Sequence, residues 1–165
     1  MHIRAARQGD LDLLWEFLAM AAYEPDVDAA KAVPFVASHL NGWQRSSDFG
    51  FIAETDDRAV GAAWARHIQA KDNPFRIDDR SPVVTIAVRD GARGNGVGET
   101  LLRALIDEAA ARRLRLSLDV RETNPARRLY ERLGFRQVPG KQVRNRVGTL
   151  SLGMVYVGIE ADSGC

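Results

Sequence analysis

Apolar and polar positions change their period several times along the chain, and each change marks an element. Residues 3–6 form a short strand candidate. Asp10 can cap a helix over residues 11–22, where Leu11, Leu14, Trp15 and Leu18 recur at the spacing of one helical face. A weaker helix covers residues 28–39 and is interrupted by Pro34 or begins there. Residues 49–53 and 59–68 are apolar runs joined by Glu54-Thr55-Asp56-Asp57-Arg58, a polar turn that fits a hairpin. Residues 71–80 are polar, contain Pro74 and predict an exposed loop.

The second half is more regular. Residues 83–88 are a β-branched strand, and residues 98–113 a helix to which Leu101, Leu102, Leu105, Ile106 and Ala109 give one apolar face, with Val97 just ahead. From residue 114 to 120 the pattern alternates, with Leu114, Leu116, Leu118 and Val120 on one side and Arg115, Ser117 and Asp119 on the other. Residues 124–133 predict a helix ended by Gly134 in a left-handed cap. Residues 135–138 and 149–157 are the last strands, separated by a basic stretch over 141–146. The expectation is one domain over residues 1–157, followed by a frayed tail over 158–165.

Length and composition narrow the classes. A chain of 165 residues holds one sizeable core and leaves no room for two nucleotide-binding halves. A formal net charge of +1 gives no electrostatic reason to expect nucleic acid or an anionic membrane as the main partner. The single cysteine, Cys165, excludes an internal disulfide and a cysteine metal cage, and no metal is expected. Asp10 and Asp12 arrive before any long apolar run develops, so neither a secretory leader nor a membrane anchor is visible and a cytoplasmic location is expected.

The chemistry concentrates where the strand over 83–88 runs into Arg93-Gly94-Asn95-Gly96-Val97-Gly98 and then into a helix. Glycines at such a junction let the backbone approach a ligand, and the first N–H groups of the helix point at it without partners of their own. A phosphate is the natural occupant. A Walker-type loop fails, because Val97-Gly98 stand where the lysine and the magnesium-binding hydroxyl belong. A dinucleotide fingerprint finds a ribose-binding acid in Asp119, but Glu99 occupies its third glycine position.

Arg93-Gly94-Asn95-Gly96-Val97-Gly98 also resembles the Arg/Gln-x-x-Gly-x-Gly/Ala signature of the GCN5-related N-acetyltransferases. Asn124-Pro125-Ala126, with Tyr130 and Gly134-Phe135 following, is similar to the second half of that family's cofactor site. The resemblance covers almost the whole chain. It implies a mixed α/β fold with a central, mostly antiparallel twisted sheet of six or seven strands and about four helices. It also implies acetyl-coenzyme A as co-substrate. The N–H groups of Arg93, Gly94, Asn95, Gly96, Val97 and Gly98 would nest the pyrophosphate, and Ile86, Ala87 and Val88 would offer backbone groups to the pantetheine arm and thioester. Asn124 would hydrogen-bond the cofactor's amide arm, and Tyr130 would protonate the departing thiolate.

The strand over 83–88 lacks the carboxylate that many members of the family use to deprotonate the amine. Glu54, Asp119 and Glu122 are the alternatives. His67 fits a solvated strand end. Asn124 before Pro125 also serves as a plain helix cap, and Tyr130 shares a face with core residues. The acceptor implied is a primary amine of a small molecule or peptide, without nucleic acid or membrane; a homodimer is compatible. A catalytically silent acetyl-coenzyme A sensor or adaptor is the other class. The loops framing the acceptor, over 23–33 and 141–147, pair Glu24, Asp26 and Asp28 with Lys141, Arg144 and Arg146, a mixture that selects no amine class.

Overall fold

The computed structural model describes residues 1–145 and 147–158. Arg146, one cation of the acceptor loop, and the expected tail beyond Gly158, with Cys165, lie outside them. The elements run β1 (His2–Ala5), α1 (Leu11–Ala21), α2 (Val27–Ala32), α3 (Pro34–Ala37), β2 (Phe49–Thr55), β3 (Arg58–Arg66), β4 (Val83–Val88), α4 (Val97–Ala111), β5 (Ser117–Arg121), α5 (Ala126–Leu133), β6 (Phe135–Arg144) and β7 (Leu150–Tyr156). The strands form one sheet in the order β1-β2-β3-β4-β5-β7-β6. Every neighbouring pair is antiparallel except β4 and β5, which run parallel.

Helices cover both faces, because alternate residues of the central strands feed two cores. From β3, Ala63 and Ala65 join Leu101, Leu102 and Leu105 of α4 and Leu133 of α5. Ala62 and Trp64 point the other way, to Leu14, Phe17 and Leu18 of α1 and Val36 of α3. Burying each of these large apolar side chains stabilises the fold by roughly 1.5–3 kcal/mol. The expected alternation in β5 is present: Leu118 and Val120 enter the α4–α5 core, leaving Asp119 on the α1–α3 side.

The weak helix over 28–39 is interrupted at Pro34, one of its two expected readings, since Val33 is extended (φ −100°, ψ 108°) and cannot continue a helix; two short helices result. Two other segments depart from expectation. Residues 141–144 of the basic stretch do not separate strands but belong to β6. Its ladder with β7 breaks between Gln137 and Gln142, and Pro139 and Gly140 fall in that irregularity. A proline is tolerated there because β6 is an edge strand. Finally, β5 begins at Ser117 rather than near residue 114.

Candidate active site

The sheet opens between its two parallel strands. β4 is fully registered with β3 from Gly61↔Val88 to Arg66↔Val83, but it meets β5 at one pair, Val83↔Ser117. Ser117 locks that end, its N–H donating to Pro82 O at 2.9 Å and its hydroxyl to Ser81 O at 3.1 Å. Beyond this point the strands separate. Arg89 N–H donates to Val60 O of β3 at 2.8 Å. Backbone groups alternate in direction along a strand, so the N–H groups of Ile86 and Val88 face the gap.

At the top of β4 the chain makes a short 3-10 turn over Asp90–Ala92 and enters α4 at Val97. Arg93 closes the turn, its Nε donating to Val88 O at 3.1 Å and its Nη1 lying 3.2 Å from Asp90 Oδ1. Gly94 and Gly96 are left-handed, at φ +79° and +77°, and a Cβ added to either would meet nothing within 4 Å. Conformation, not space, requires glycine at both positions. The first N–H groups of α4 have no acceptor within the helix and emerge beside the open end of the gap.

α5 delivers the second cluster. Asn124 Oδ1 accepts from Ala126 N–H at 2.9 Å, the expected capping bond, while its Nδ2 donates to the Tyr23 hydroxyl at 3.1 Å. Tyr23, itself left-handed at φ +57°, also lies under Arg121, whose guanidinium carbon is 4.1 Å from the ring centroid. Tyr130 is 7% exposed, with its ring edge-on to Phe135 at 6.1 Å between centroids.

These elements enclose a cavity of about 550 Å³ lined by Ile86, Asp119, Asn124 and Tyr130, together with Tyr23, Thr85 and His39. Val143, Arg144 and Asn145 from the end of β6 and the residue after it form another wall, and Val33 and Phe35 a further one. Burial pushes the Tyr130 phenol up, reinforced by Tyr23 and Asp119, so its proton is held firmly. Burial likewise raises the Asp119 carboxyl and lowers the His39 imidazole, while each partly counters the shift of the other.

Several expected site residues stand elsewhere. Glu54 is not at the cavity: it accepts from Arg4 Nε at 2.8 Å, and Arg4 is also bonded to Asp10, so this carboxylate ties β1 to β2. Its place at the β1–β2 edge, away from the residues that line the cavity, keeps it from an amine there. Glu122 is exposed and does not line the cavity. Ala87 turns its methyl into the α1–α3 core and its carbonyl toward Gly61 of β3, so it offers nothing to the gap. Arg93, Gly94, Asn95, Gly96, Val97 and Gly98 sit at the gap's outer end rather than in the cavity. His67 lines a separate polar hollow with Arg45 and Arg76.

His39 escaped the sequence pattern. It follows α3, a helix of four residues too short to show a periodicity, and its partners lie on other elements. Its Nδ1 bonds to Phe35 O at 2.9 Å and Val36 O at 3.2 Å, and Trp64 Nε1 donates to its carbonyl at 2.9 Å. The one available signal was a lone histidine within the apolar run from Val33 to Leu40.

The profile of the family described as "Acetyltransferase (GNAT) family" matches residues 12–135. A search of the curated proteins finds no match. Among solved structures, the chain is similar to a ribosomal-protein-alanine N-acetyltransferase from Brucella melitensis, with 25% identity, a TM-score of 0.69 and coverage of 94% of this chain and 98% of that one. It is also similar to the ribosomal-protein-S18-alanine N-acetyltransferase from Escherichia coli, at 20% identity and TM-score 0.67, over 98% and 97% of the two chains. An aminoglycoside 6'-N-acetyltransferase complexed with coenzyme A shares the fold at 17% identity and TM-score 0.65, over 94% and 96%.

Proposed function

Because this chain belongs to the acetyltransferase (GNAT) family and is an acyl-coenzyme A-dependent N-acyltransferase, we propose that it passes an acetyl group by direct attack to a primary amine of a small molecule or peptide. The observation that carries this is the opening of the sheet: β4 keeps one paired position with β5, and the gap joins a glycine turn at one end to the Asp119–Tyr130 cavity at the other.

The residues fit acetyl-coenzyme A on physical grounds. Left-handed Gly94 and Gly96 expose main-chain N–H groups at the positive end of the 15-residue helix α4, where a pyrophosphate is favoured. The N–H groups of Ile86 and Val88 are turned to the gap, where an extended amide-bearing arm can pair with them as a strand would. When bound, the cofactor supplies its acetyl group as a thioester already activated toward amines.

The chain's own contribution is positional and acid–base. Val88 N–H is directed to hold charge developing on the acetyl oxygen. Tyr130, buried and protonated, gives its hydroxyl proton to the leaving sulfur. Asn124 is fixed by capping α5 and keeps its amide toward Tyr23 at the cavity mouth. Acceptor choice lies with the walls from Val33, Phe35 and Val143 to Asn145. Relatives of this fold act on a protein alanine and on an aminoglycoside, so the panel to test holds alanine-first peptides, aminoglycosides, polyamines and amino acids.

Thermal melting with coenzyme A tests the cofactor assignment. At one hundred times the dissociation constant the fold gains about 2.7 kcal/mol. Gly96→Val should remove that shift, because a β-branched residue resists the left-handed turn by roughly 1–2 kcal/mol and reorients the N–H groups. An undiminished shift in this variant would take the pyrophosphate away from the turn.

A further inference from the structure

The transfer needs a proton acceptor at the amine, and the cavity holds a group that the steps above do not use. His39 stands in the turn after α3, between the α1–α3 layer and the sheet, and lines the same cavity as Asp119 and Tyr130. Its Nδ1 faces two main-chain carbonyls, of Phe35 and Val36, so that nitrogen carries the proton and Nε2 carries the lone pair. Among the described residues nothing hydrogen-bonds to Nε2.

The mounting is rigid. The Phe35 ring meets the imidazole edge-on at 5.1 Å between centroids. Trp64 Nε1 holds the His39 carbonyl at 2.9 Å, and Arg66 Nη1 holds the carbonyls of Ser38 and Asn41, at 3.3 and 2.6 Å, on either side. The charges around the ring are set out as a base requires. Asp119 from β5 favours the imidazolium, Arg66 from β3 opposes it, and burial, the largest influence, keeps the ring neutral. Tyr130 of α5, Tyr23 after α1, Arg121 of β5, Arg144 of β6 and the Lys71–Asp72 pair complete the titratable and charged groups of that cavity.

Resting on acetyl transfer as the reaction at this site, we infer that His39 Nε2 is the base that takes the amine proton and that Asp119 is the positioning residue whose charge steadies the imidazolium. As the amine nitrogen bonds to the acetyl carbon, its proton passes to His39 Nε2. The carbon–sulfur bond breaks with its electron pair on sulfur, which takes the Tyr130 hydroxyl proton. One proton then returns from the imidazolium to the phenolate through solvent. Amide and free thiol are the net products, and the chain is unchanged.

The test uses the full chain, acetyl-coenzyme A and the amine that the panel selects. His39→Asn keeps a donor for Phe35 O but has no basic atom; His39→Ala leaves room for added imidazole. His39→Asn should bind coenzyme A as the parent does while kcat falls about 10²–10⁴-fold. The acid limb of the parent's kcat profile, below the ordinary histidine value of 6.5, should vanish with it. Imidazoles should restore His39→Ala, the more basic ones faster, which a purely structural role would not allow. Asp119→Asn should move the acid limb to lower pH, because the carboxylate holds the imidazole's affinity for protons up.

Intact coenzyme A binding and acetyl transfer, with His39→Asn within about tenfold of the parent or keeping its acid limb, would overturn the inference and leave the acetyltransferase reading standing. Loss of transfer in Asp119→Asn alone would make Asp119 the base instead. A panel in which no amine releases thiol would remove both.

Discussion

Tyr130 carries two loads that a single substitution separates. Its ring is part of the α4–α5 core against Phe135, while the residue also lines the cavity. Tyr130→Phe retains the ring, so melting temperature and coenzyme A affinity should stay near those of the parent while kcat drops about 10²–10⁴-fold. Nearly normal kcat would return the residue to the core. Burial raises the phenol, so the parent's kcat should show no alkaline limb from this group up to its ordinary value of 10.0. Asn124 shows the same duality. Its cap on α5 was legible from Asn-Pro at a helix start, but its bond to Tyr23, 101 residues away, was not. Glu54 was misplaced for a related reason: the strand end was visible in the chain, whereas the Arg4 that claims its carboxylate arrives from β1 through sheet pairing.

At the scale of elements, the segment that carries His39 is held by a buried ion pair. Arg66, 1% exposed, donates from Nη2 and Nε to the Asp48 carboxylate at 2.9 and 3.3 Å, besides its bonds to Ser38 O and Asn41 O. Arg66→Met leaves the buried Asp48 carboxylate with only Arg45, whose half-exposed Nε is 3.7 Å away and whose main-chain N–H donates at 2.9 Å, and should cost about 3 kcal/mol, read as a lower denaturant midpoint. A loss below about 1 kcal/mol, the value of an exposed pair, would mean water reaches that carboxylate. The elements that ran true to the pattern are those with long or strict periodicity, β4 and α4 above all; their junction fell within a residue of the observed bounds. The split between α2 and α3 was legible at Pro34, although six and four residues show little helical period, whereas the far half of β6 was hidden because Pro139-Gly140 normally end a strand. Only its position at the sheet edge lets β6 pass through them.

At the scale of the whole molecule, the fold is a sheet packed by helices on both faces and prised open at its one parallel junction. That junction interrupts the ladder where β4 would otherwise satisfy its backbone on β5. An occupant that pairs with β4 therefore completes the sheet as well as binding to it. Coenzyme A should accordingly slow amide exchange along residues 84–88 and at the start of α4 more than in β1 or β2, which lie outside the gap. Uniform protection across the sheet would point to simple global stabilisation.

If this opening is the site of acetyl transfer to amines, the release of free thiol from acetyl-coenzyme A reads the reaction out. Thiol should appear in stoichiometric step with an N-acetylated product when one class of the amine panel is supplied, and remain at the background hydrolysis rate without it. Coenzyme A-dependent stabilisation with no amine in the panel raising thiol release above that background would contradict the account.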